Sequence, residues 1–153
     1  MLRKSLIVIL VYSILLSCKD ENDDCSLVLC APGDAIRLEL INNDANVISN
    51  GTYDETNISV DGDVLENLQI RVLPNVQGAT SGLLELNNFD WRPGEYAYTV
   101  ALGNDWLIDL LVTFGLAGND PCCGDRIIIT RLSAGNFTVE QLPNPSFYTI
   151  ILE

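Results

Sequence analysis

The sequence predicts an all-β protein, an antiparallel β-sandwich of about eight strands that follows a signal helix and a disordered acidic tether. Short apolar runs are separated by Asn, Asp, Gly and Pro, which are typical of turns between antiparallel strands. Within several runs apolar and polar residues alternate, as in a strand with one buried face. We expect three segments: a signal peptide at residues 1–17, an acylated cysteine with its acidic tether at 18–24, and the β-sandwich domain at 25–153.

The first seventeen residues have the layout of an export signal. Arg3 and Lys4 precede an apolar run from Leu6 to Leu16. A membrane-spanning helix needs about 20 apolar residues, and this run is shorter and is followed directly by charged residues. The tetrapeptide at positions 15–18, Leu-Leu-Ser-Cys, resembles the lipobox of bacterial lipoproteins. That resemblance implies cleavage before Cys18, acylation of Cys18 by chains such as palmitate, and anchoring to a membrane.

The six residues after Cys18, Lys-Asp-Glu-Asn-Asp-Asp, contain no apolar side chain. Such a run cannot bury surface and is expected to stay solvated. It also resembles the acidic tether by which some Gram-negative bacteria send lipoproteins to the outer face of the outer membrane. That resemblance implies an outer-membrane location facing the cell exterior. Both interpretations of the run remain open.

Charge excludes one class of partner. Removal of residues 1–17 leaves six basic and 21 acidic residues, a net charge of −15. Such a field repels nucleic acid and anionic head groups, so nucleic-acid binding is not expected. The remaining chain is within the usual length of one domain.

Four cysteines remain if Cys18 is acylated, namely Cys25, Cys30, Cys122 and Cys123. An even number in an exported chain predicts disulfides. The residues between Cys25 and Cys30 have the character of a strand, which opposes a local bridge, and adjacent cysteines would close a strained ring. We therefore predict that the first two pair with the last two, in either arrangement. Zinc is disfavoured because there is no histidine and no C-x₂-C spacing.

The strands begin with residues 35–41, where three apolar side chains alternate with Arg37 and Glu39. The Asn-rich segment 42–46 predicts a turn that tolerates left-handed backbone and returns the chain into Val47-Ile48. Strands with similar alternation are predicted at 58–60, 68–72 and 82–86, and the segments 127–132, 137–139 and 147–152 complete the set of strands.

Pro93-Gly94 starts the strongest strand signal, a run of aromatic and β-branched residues at 95–100. This Pro-Gly-x-Tyr entry resembles strands of immunoglobulin-like and transthyretin-like sandwich modules. Alternation predicts that Tyr96, Tyr98 and Val100 share a face. Residues 106–114 fit a strand or a helix; we predict a central strand with both faces buried.

The chemistry that the sequence allows is limited. Without histidine there is no Ser-His-Asp or Cys-His nucleophile and no imidazole proton shuttle. Paired carboxylates remain a route to glycan hydrolysis, but a small domain with short loops offers little cleft for it. No Gly-rich loop opens a helix. We expect no enzymatic activity and no cofactor.

Two groups of residues have both a functional and a structural interpretation. The segments 42–44 and 61–63 offer oxygen ligands for calcium, but the same residues are common in turns, and a turn without metal is favoured. The aromatic residues Trp91, Tyr96, Tyr98 and Trp106 suit a binding face but are more often core. Trp91 is the ligand-binding candidate because its position before Pro93 favours exposure.

The expected function is that of a lipid-anchored, surface-exposed binding or interaction module whose ligand is a protein or a glycan. A structural envelope protein without a small ligand, or a carboxylate-dependent glycan hydrolase, are the alternatives. Exposed aromatic residues in a concave patch would favour binding, and converging buried carboxylates would favour catalysis.

Overall fold

The computed structural model describes residues 25, 33–74, 82–120, 122–144 and 146–153. Residues 1–24, with the predicted signal helix, Cys18 and the tether, lie outside this part, as does Cys30. The described residues form ten strands and no α-helix. The strands are β1 (Ile36–Asn42), β2 (Ala45–Asn46), β3 (Ile58–Gly62), β4 (Gln69–Leu73), β5 (Leu83–Asn87), β6 (Gly94–Leu102), β7 (Trp106–Asp120), β8 (Gly124–Ala134), β9 (Thr138–Gln141) and β10 (Phe147–Ile151).

The strands form two sheets. Sheet A has the order β4-β5-β1-β10-β9, with β2 paired to β1, and sheet B has the order β3-β6-β7-β8. Neighbouring strands are antiparallel except β1 and β10, which are parallel. Buried residues of both sheets form one core, as in a β-sandwich; sheet A provides Ile36, Leu38, Leu40 and Ile150, and sheet B provides Tyr98, Val100, Ile108 and Leu110. The prediction of an all-β fold is confirmed.

Patterns of neighbouring residues in the sequence correctly predicted two strands and one turn. Ile36, Leu38 and Leu40 are buried while Arg37 and Glu39 lie on the other face, as the alternation predicted. The turn after β1 has the predicted left-handed backbone, with φ of 49° at Asn43 and 60° at Asp44. Residues 106–114 lie in the central strand β7, between β6 and β8.

Three expectations about these elements were wrong. Val47 and Ile48 lie in a turn, because the Asn46 side chain accepts the backbone N–H of Ile48 at 3.0 Å and bends the chain out of the strand. Strand β5 is not half-buried; Leu83, Leu84, Glu85 and Leu86 are all buried.

Strand β7 is not buried on both faces, since Leu107 is 68% exposed and Leu111 is 36% exposed. Sheet B covers the core with one face only, so its central strand is buried on one side.

The second face of sheet A holds a group of ion pairs. Glu85 on β5 is buried, and its Oε2 accepts a hydrogen bond from Nε of Arg37 at 2.8 Å. Its Oε1 lies 3.5 Å from Nη1 of Arg71. These residues are direct neighbours across the strands, since Arg37 and Arg71 both pair with Glu85. The guanidinium of Arg37 also lies 5.2 Å from the Phe147 ring centroid. A buried carboxylate is thus neutralised where a strand of leucines would predict an apolar side chain.

A disulfide joins the N-terminal part of the chain to sheet B. Cys25 is bonded to Cys122, which lies between β7 and β8 and is 97 residues away in sequence. This bond agrees with the predicted pairing of an early with a late cysteine. Cys123 is also disulfide-bonded, and its predicted partner Cys30 lies outside the described residues. Asp34 continues the attachment, because its N–H donates to Ile127 and its carboxylate accepts from Ile129 on the edge strand β8.

Candidate functional site

The strands place the loops at two opposite ends of the molecule. Strand β3 runs from loop 47–57 to loop 63–68, and β6 runs from loop 88–93 to loop 103–105, with Ile58 paired to Leu102 and Gly62 to Tyr98. Loops 63–68 and 88–93, with the β7–β8 hairpin and its disulfide, form what we call the N-terminal end. Loops 47–57 and 103–105 form the far end.

A cleft of about 370 Å³ opens at the far end, and we call it the Tyr53 cleft. This volume is in the range of ligand sites, about 300–1,000 Å³. Its apolar lining comes from two loops and from β4, and Asp54 and Glu55 add two negative charges. The lining residues are Ile48, Gly51, Tyr53, Asp54, Glu55, Thr56, Val72 and Pro74.

Side-chain hydrogen bonds hold the loop that carries the cleft. Asn50 accepts the backbone N–H of Thr52 at 2.9 Å, and Asp54 accepts that of Thr56 at 2.8 Å. Asn57 closes the loop by accepting the N–H of Asp54 at 2.8 Å. The first two contacts are Asx turns, and all three fix the backbone without a regular sheet. The loop is therefore ordered before any ligand arrives.

The pKa values of Asp54 and Tyr53, both in the cleft, are shifted in opposite directions. Hydrogen bonds from the Thr56 hydroxyl and N–H lower the pKa of Asp54 below its ordinary value, so this carboxylate stays ionised at neutral pH. Tyr53 is buried, and its hydroxyl donates to Asp105 at 2.8 Å. Burial, then the bond to Asp105 and the charge of that residue, raise the pKa of Tyr53, so the phenol stays neutral. The cleft thus combines an apolar lining with permanent negative charge.

Trp91 is buried, so the expected exposure of this candidate was wrong. Its side chain is 3% exposed, its ring stacks on Phe114 at 4.5 Å, and its indole N–H donates to the Tyr98 hydroxyl at 2.7 Å. Loop 88–93 folds back over the core and inserts this ring between the sheets. Tyr98 is buried with it, which confirms the core interpretation for these two residues.

A smaller groove of about 150 Å³ lies beside Trp91 at the N-terminal end. The Arg92 guanidinium lies on its rim and donates to the carbonyl oxygen of Trp91 at 3.0 Å. Its volume is below the usual range for ligands. The other lining residues are Gly33, Asp34, Asn87, Asn88, Phe89 and Ile127.

The acidic loops singled out for calcium serve the backbone. Asp63 accepts the N–H of Ala97 at 2.8 Å and its own N–H donates to the carbonyl of Ala97, which extends the pairing of β3 with β6. Asp61 caps the N–H of Gly62 at 2.8 Å. Gly62 cannot carry a side chain, since a Cβ atom there would collide with the carbonyl oxygen of Ala97. Among the described residues no three His, Cys, Asp or Glu side chains converge as metal ligands.

Cys18, the predicted lipidation site, lies outside the described residues. Within the part of the chain that the structure covers, no helix has the length and apolar character to cross a membrane. The sequence matches no protein-family model, and comparisons with curated proteins and with solved structures give no match.

No pattern in the sequence predicted that Tyr53 and the residues around it form a cleft. A signal existed in the density of Asn, Thr and Asp between positions 46 and 57, because these residues form side-chain-capped turns. Nothing local indicated that Val72 and Pro74, from a distant strand, would complete the cleft.

Proposed function

We propose that this chain is a lipid-anchored binding module that presents the Tyr53 cleft away from the membrane. The acyl chains on Cys18 hold it in the outer membrane, and the acidic residues 19–24 direct it to the cell exterior. One observation carries the proposal. The cleft lies at the far end, whereas the Cys25–Cys122 disulfide ties the chain that leads to Cys18 to the opposite end.

The chemistry of the cleft favours a ligand with an apolar body and a positive charge. Asp54 and Glu55 attract cations, and the described residues of the far-end loops include no Lys or Arg. Lys and Arg side chains carry apolar stems under a charged group, so a basic peptide segment fits better than a neutral glycan. A protein partner is therefore the proposed ligand class. The alternation of buried and exposed residues along the strands and the packing of two sheets support an immunoglobulin-like or transthyretin-like sandwich as the finer architecture.

Mass spectrometry of the mature N-terminus tests the anchor. The expected product begins at Cys18 and carries two or three acyl chains, because stable anchoring needs more than one. A Cys18→Ala variant should carry no acyl chain. A mature chain that begins elsewhere without acyl chains would reject the anchoring part of the proposal.

Surface labelling of intact cells tests the role of the tether. Replacement of residues 19–24 by Ser and Gly should remove the surface signal while the midpoint of thermal unfolding stays the same, because these residues have no apolar side chain to bury. Equal labelling of the two proteins would reject the export role.

Nuclear magnetic resonance titration tests the cleft. The probes are the N-acetylated, C-amidated dipeptides Leu-Lys and Leu-Glu, which share an apolar body and differ in charge. The amides of Ile48, Tyr53 and Thr56 should shift with Leu-Lys and stay unchanged with Leu-Glu, because the carboxylates attract only the former.

The variant Glu55→Lys should abolish the shifts caused by Leu-Lys. Its matched control is Glu140→Lys, which makes the same charge change at an exposed position on β9. Equal loss in both variants would show that net charge, rather than the cleft, governs binding. Shifts spread over the whole surface would reject the cleft as the site.

A further inference from the structure

Exposed apolar side chains gather at the N-terminal end. Phe89 is 65% exposed in loop 88–93, Val64 and Leu65 are exposed in loop 63–68, and Leu116 is exposed on β7 beyond its pairing with β6. We call these four residues the apolar loop surface. Exposure of large apolar side chains to water is unfavourable. A loop that presents several of them is therefore expected to contact a protein or a lipid surface.

The loops that present these side chains are held together. The buried side chain of Asn88 donates to the carbonyl oxygens of Val64 at 2.8 Å and Glu66 at 3.0 Å. Asn67 donates to Asp90 at 2.8 Å and joins the two loops a second time. Val64 has a φ of 48°, which a β-branched residue rarely adopts. The scaffold therefore holds Val64 outward at a conformational cost.

The length of the segment between Cys18 and Cys25 indicates which apolar medium this surface can reach. Six residues lie between Cys18 and Cys25, and the seven steps from one cysteine to the other reach at most about 23–25 Å when fully extended. Leu116 lies four residues before Asp120, at the end of β7, a step of about 14 Å along a strand. Because Cys25 is bonded to Cys122 beside that strand end, the segment is long enough to bring Cys18 level with the apolar loop surface.

We propose that the apolar loop surface rests in the head-group region of the membrane that holds Cys18, an inference that rests on the proposed acylation. Phe89 and Leu116 enter the interface, and Arg92 and Arg126 lie at the same end of the molecule. With a net charge of −15 the mature protein is not attracted to anionic lipid, so this contact depends on the anchor. The contact orients the domain with its Tyr53 cleft toward the exterior.

Fluorescence quenching of the full acylated protein tests the contact. Phe89→Trp places an indole on the apolar loop surface, and Leu107→Trp places one at a position of similar exposure, 68%, at the start of β7 near the far end. Each variant is reconstituted into vesicles of phosphatidylethanolamine and phosphatidylglycerol with brominated chains. With brominated chains, emission of the Phe89→Trp variant should be quenched more strongly than that of the parent, and emission of Leu107→Trp should be quenched no more than that of the parent.

The remaining outcomes overturn the inference. If mass spectrometry shows the acyl chains but neither variant is quenched, the surface does not contact lipid and the proposed function stands. Sedimentation of a detergent-free, Cys18→Ala form as a dimer that Phe89→Ser dissociates would assign the surface to a second copy. A mature N-terminus without acyl chains overturns the lipid contact and the anchoring together.

Discussion

Polar atoms within the core satisfy one another at the scale of single residues. The Trp91 indole donates to the Tyr98 hydroxyl at 2.7 Å, and both side chains are almost fully buried. No described buried side-chain nitrogen or oxygen lacks a hydrogen-bond partner. Since a buried donor without a partner costs about 1–3 kcal/mol, such pairs fix the position of aromatic rings that the hydrophobic effect alone would not orient.

Removal of the Tyr98 hydroxyl tests this pair. Tyr98→Phe should lower the free energy of unfolding by about 1–3 kcal/mol, because the Trp91 N–H stays buried without an acceptor. Urea denaturation measures the change. The matched control is Tyr96→Phe, whose hydroxyl bonds the exposed backbone of Arg92 and should cost clearly less. Equal costs for the two variants would contradict the assigned role of Tyr98.

Tyrosine ionisation makes stability depend on high pH. Burial raises the pKa of Tyr98 and of Tyr148 above the ordinary value, with a further contribution from acidic neighbours such as Asp34 beside Tyr148. The folded protein therefore holds these protons more tightly than the unfolded chain. The stabilisation is complete below about pH 10 and is lost as the pH rises above it.

Urea denaturation on both sides of pH 10 measures this dependence. The free energy of unfolding should decline above pH 10, and that of Tyr148→Phe should decline less steeply because one of the three phenols with a raised pKa, Tyr53, Tyr98 and Tyr148, is gone. An identical decline in the variant would exclude Tyr148 as a contributor.

The backbone conformation of the turn between β1 and β2 affects the stability of this hairpin. The β1–β2 hairpin has a two-residue turn, Asn43-Asp44, in which both residues have positive φ. This is the type I′ geometry, which prefers Gly at its second position.

We expect Asp44→Gly to stabilise the protein by up to about 1 kcal/mol and Asp44→Val to destabilise it by about 1–2 kcal/mol, since a side chain in left-handed backbone clashes with the main chain. Chemical denaturation checks both. In contrast, Asp109→Gly in the extended β7 should destabilise. A loss of stability in Asp44→Gly would show that the Asp44 side chain, rather than its backbone, supports the turn.

The disulfide between Cys25 and Cys122 is the strongest constraint at the element scale. It closes a separation of 97 residues, and the chain-entropy model assigns about 4.7 kcal/mol to a loop of that size, an upper figure before native strain. Cys25→Ser with Cys122→Ser should lower the free energy of unfolding by about 2–5 kcal/mol and sharply reduce the thermal midpoint. Calorimetry measures this loss, and Cys18→Ala, outside the predicted disulfides, should unfold like the parent.

Peptide mapping without reduction checks the connectivity. A single covalent cluster with Cys25, Cys30, Cys122 and Cys123 is expected. Recovery of Cys25 and Cys30 in a peptide free of Cys122 would contradict the pairing.

Charge dominates the behaviour of the whole molecule. The full sequence carries a formal net charge of −13, and the described arginines lie in sheet A and toward the N-terminal end, while the only charged residues of the far-end loops are acidic. Self-repulsion of such a chain opposes compaction. Added salt shortens the Debye length from about 30 Å at 0.01 M to about 8 Å at 0.15 M and weakens that repulsion.

The thermal midpoint should therefore rise with sodium chloride over this range of concentration. Calorimetry measures the rise. The partly buried ion pair of Glu85 with Arg37 opposes the effect only slightly, because partly buried pairs are screened less than exposed charges. A midpoint that falls with salt would mean that favourable ion pairs outweigh net repulsion.

The sequence by itself determined the features that depend on neighbouring residues. Alternation around Ile36, Leu38 and Leu40 predicted a half-buried strand, and the Asn-Asp turn followed from residues that tolerate left-handed backbone. The run after Gly94 predicted a strand for the same local reason. Charge and the absence of histidine likewise restricted the chemistry without any structure. The pairing of Cys25 with a late cysteine also followed from a local feature, because the strand-like residues between Cys25 and Cys30 oppose a bridge between those two.

Only the tertiary structure decided which distant elements meet. Strand β1 lies beside β10, with the Thr149 hydroxyl bonded to Glu39 across 110 residues, and no local pattern specifies that neighbour. The same holds for Val72 beside Tyr53 in the cleft and for Trp91, whose position before a proline suggested exposure but whose ring fills a gap between two sheets. Burial depends on what the other sheet leaves uncovered, and that is a property of the packed whole.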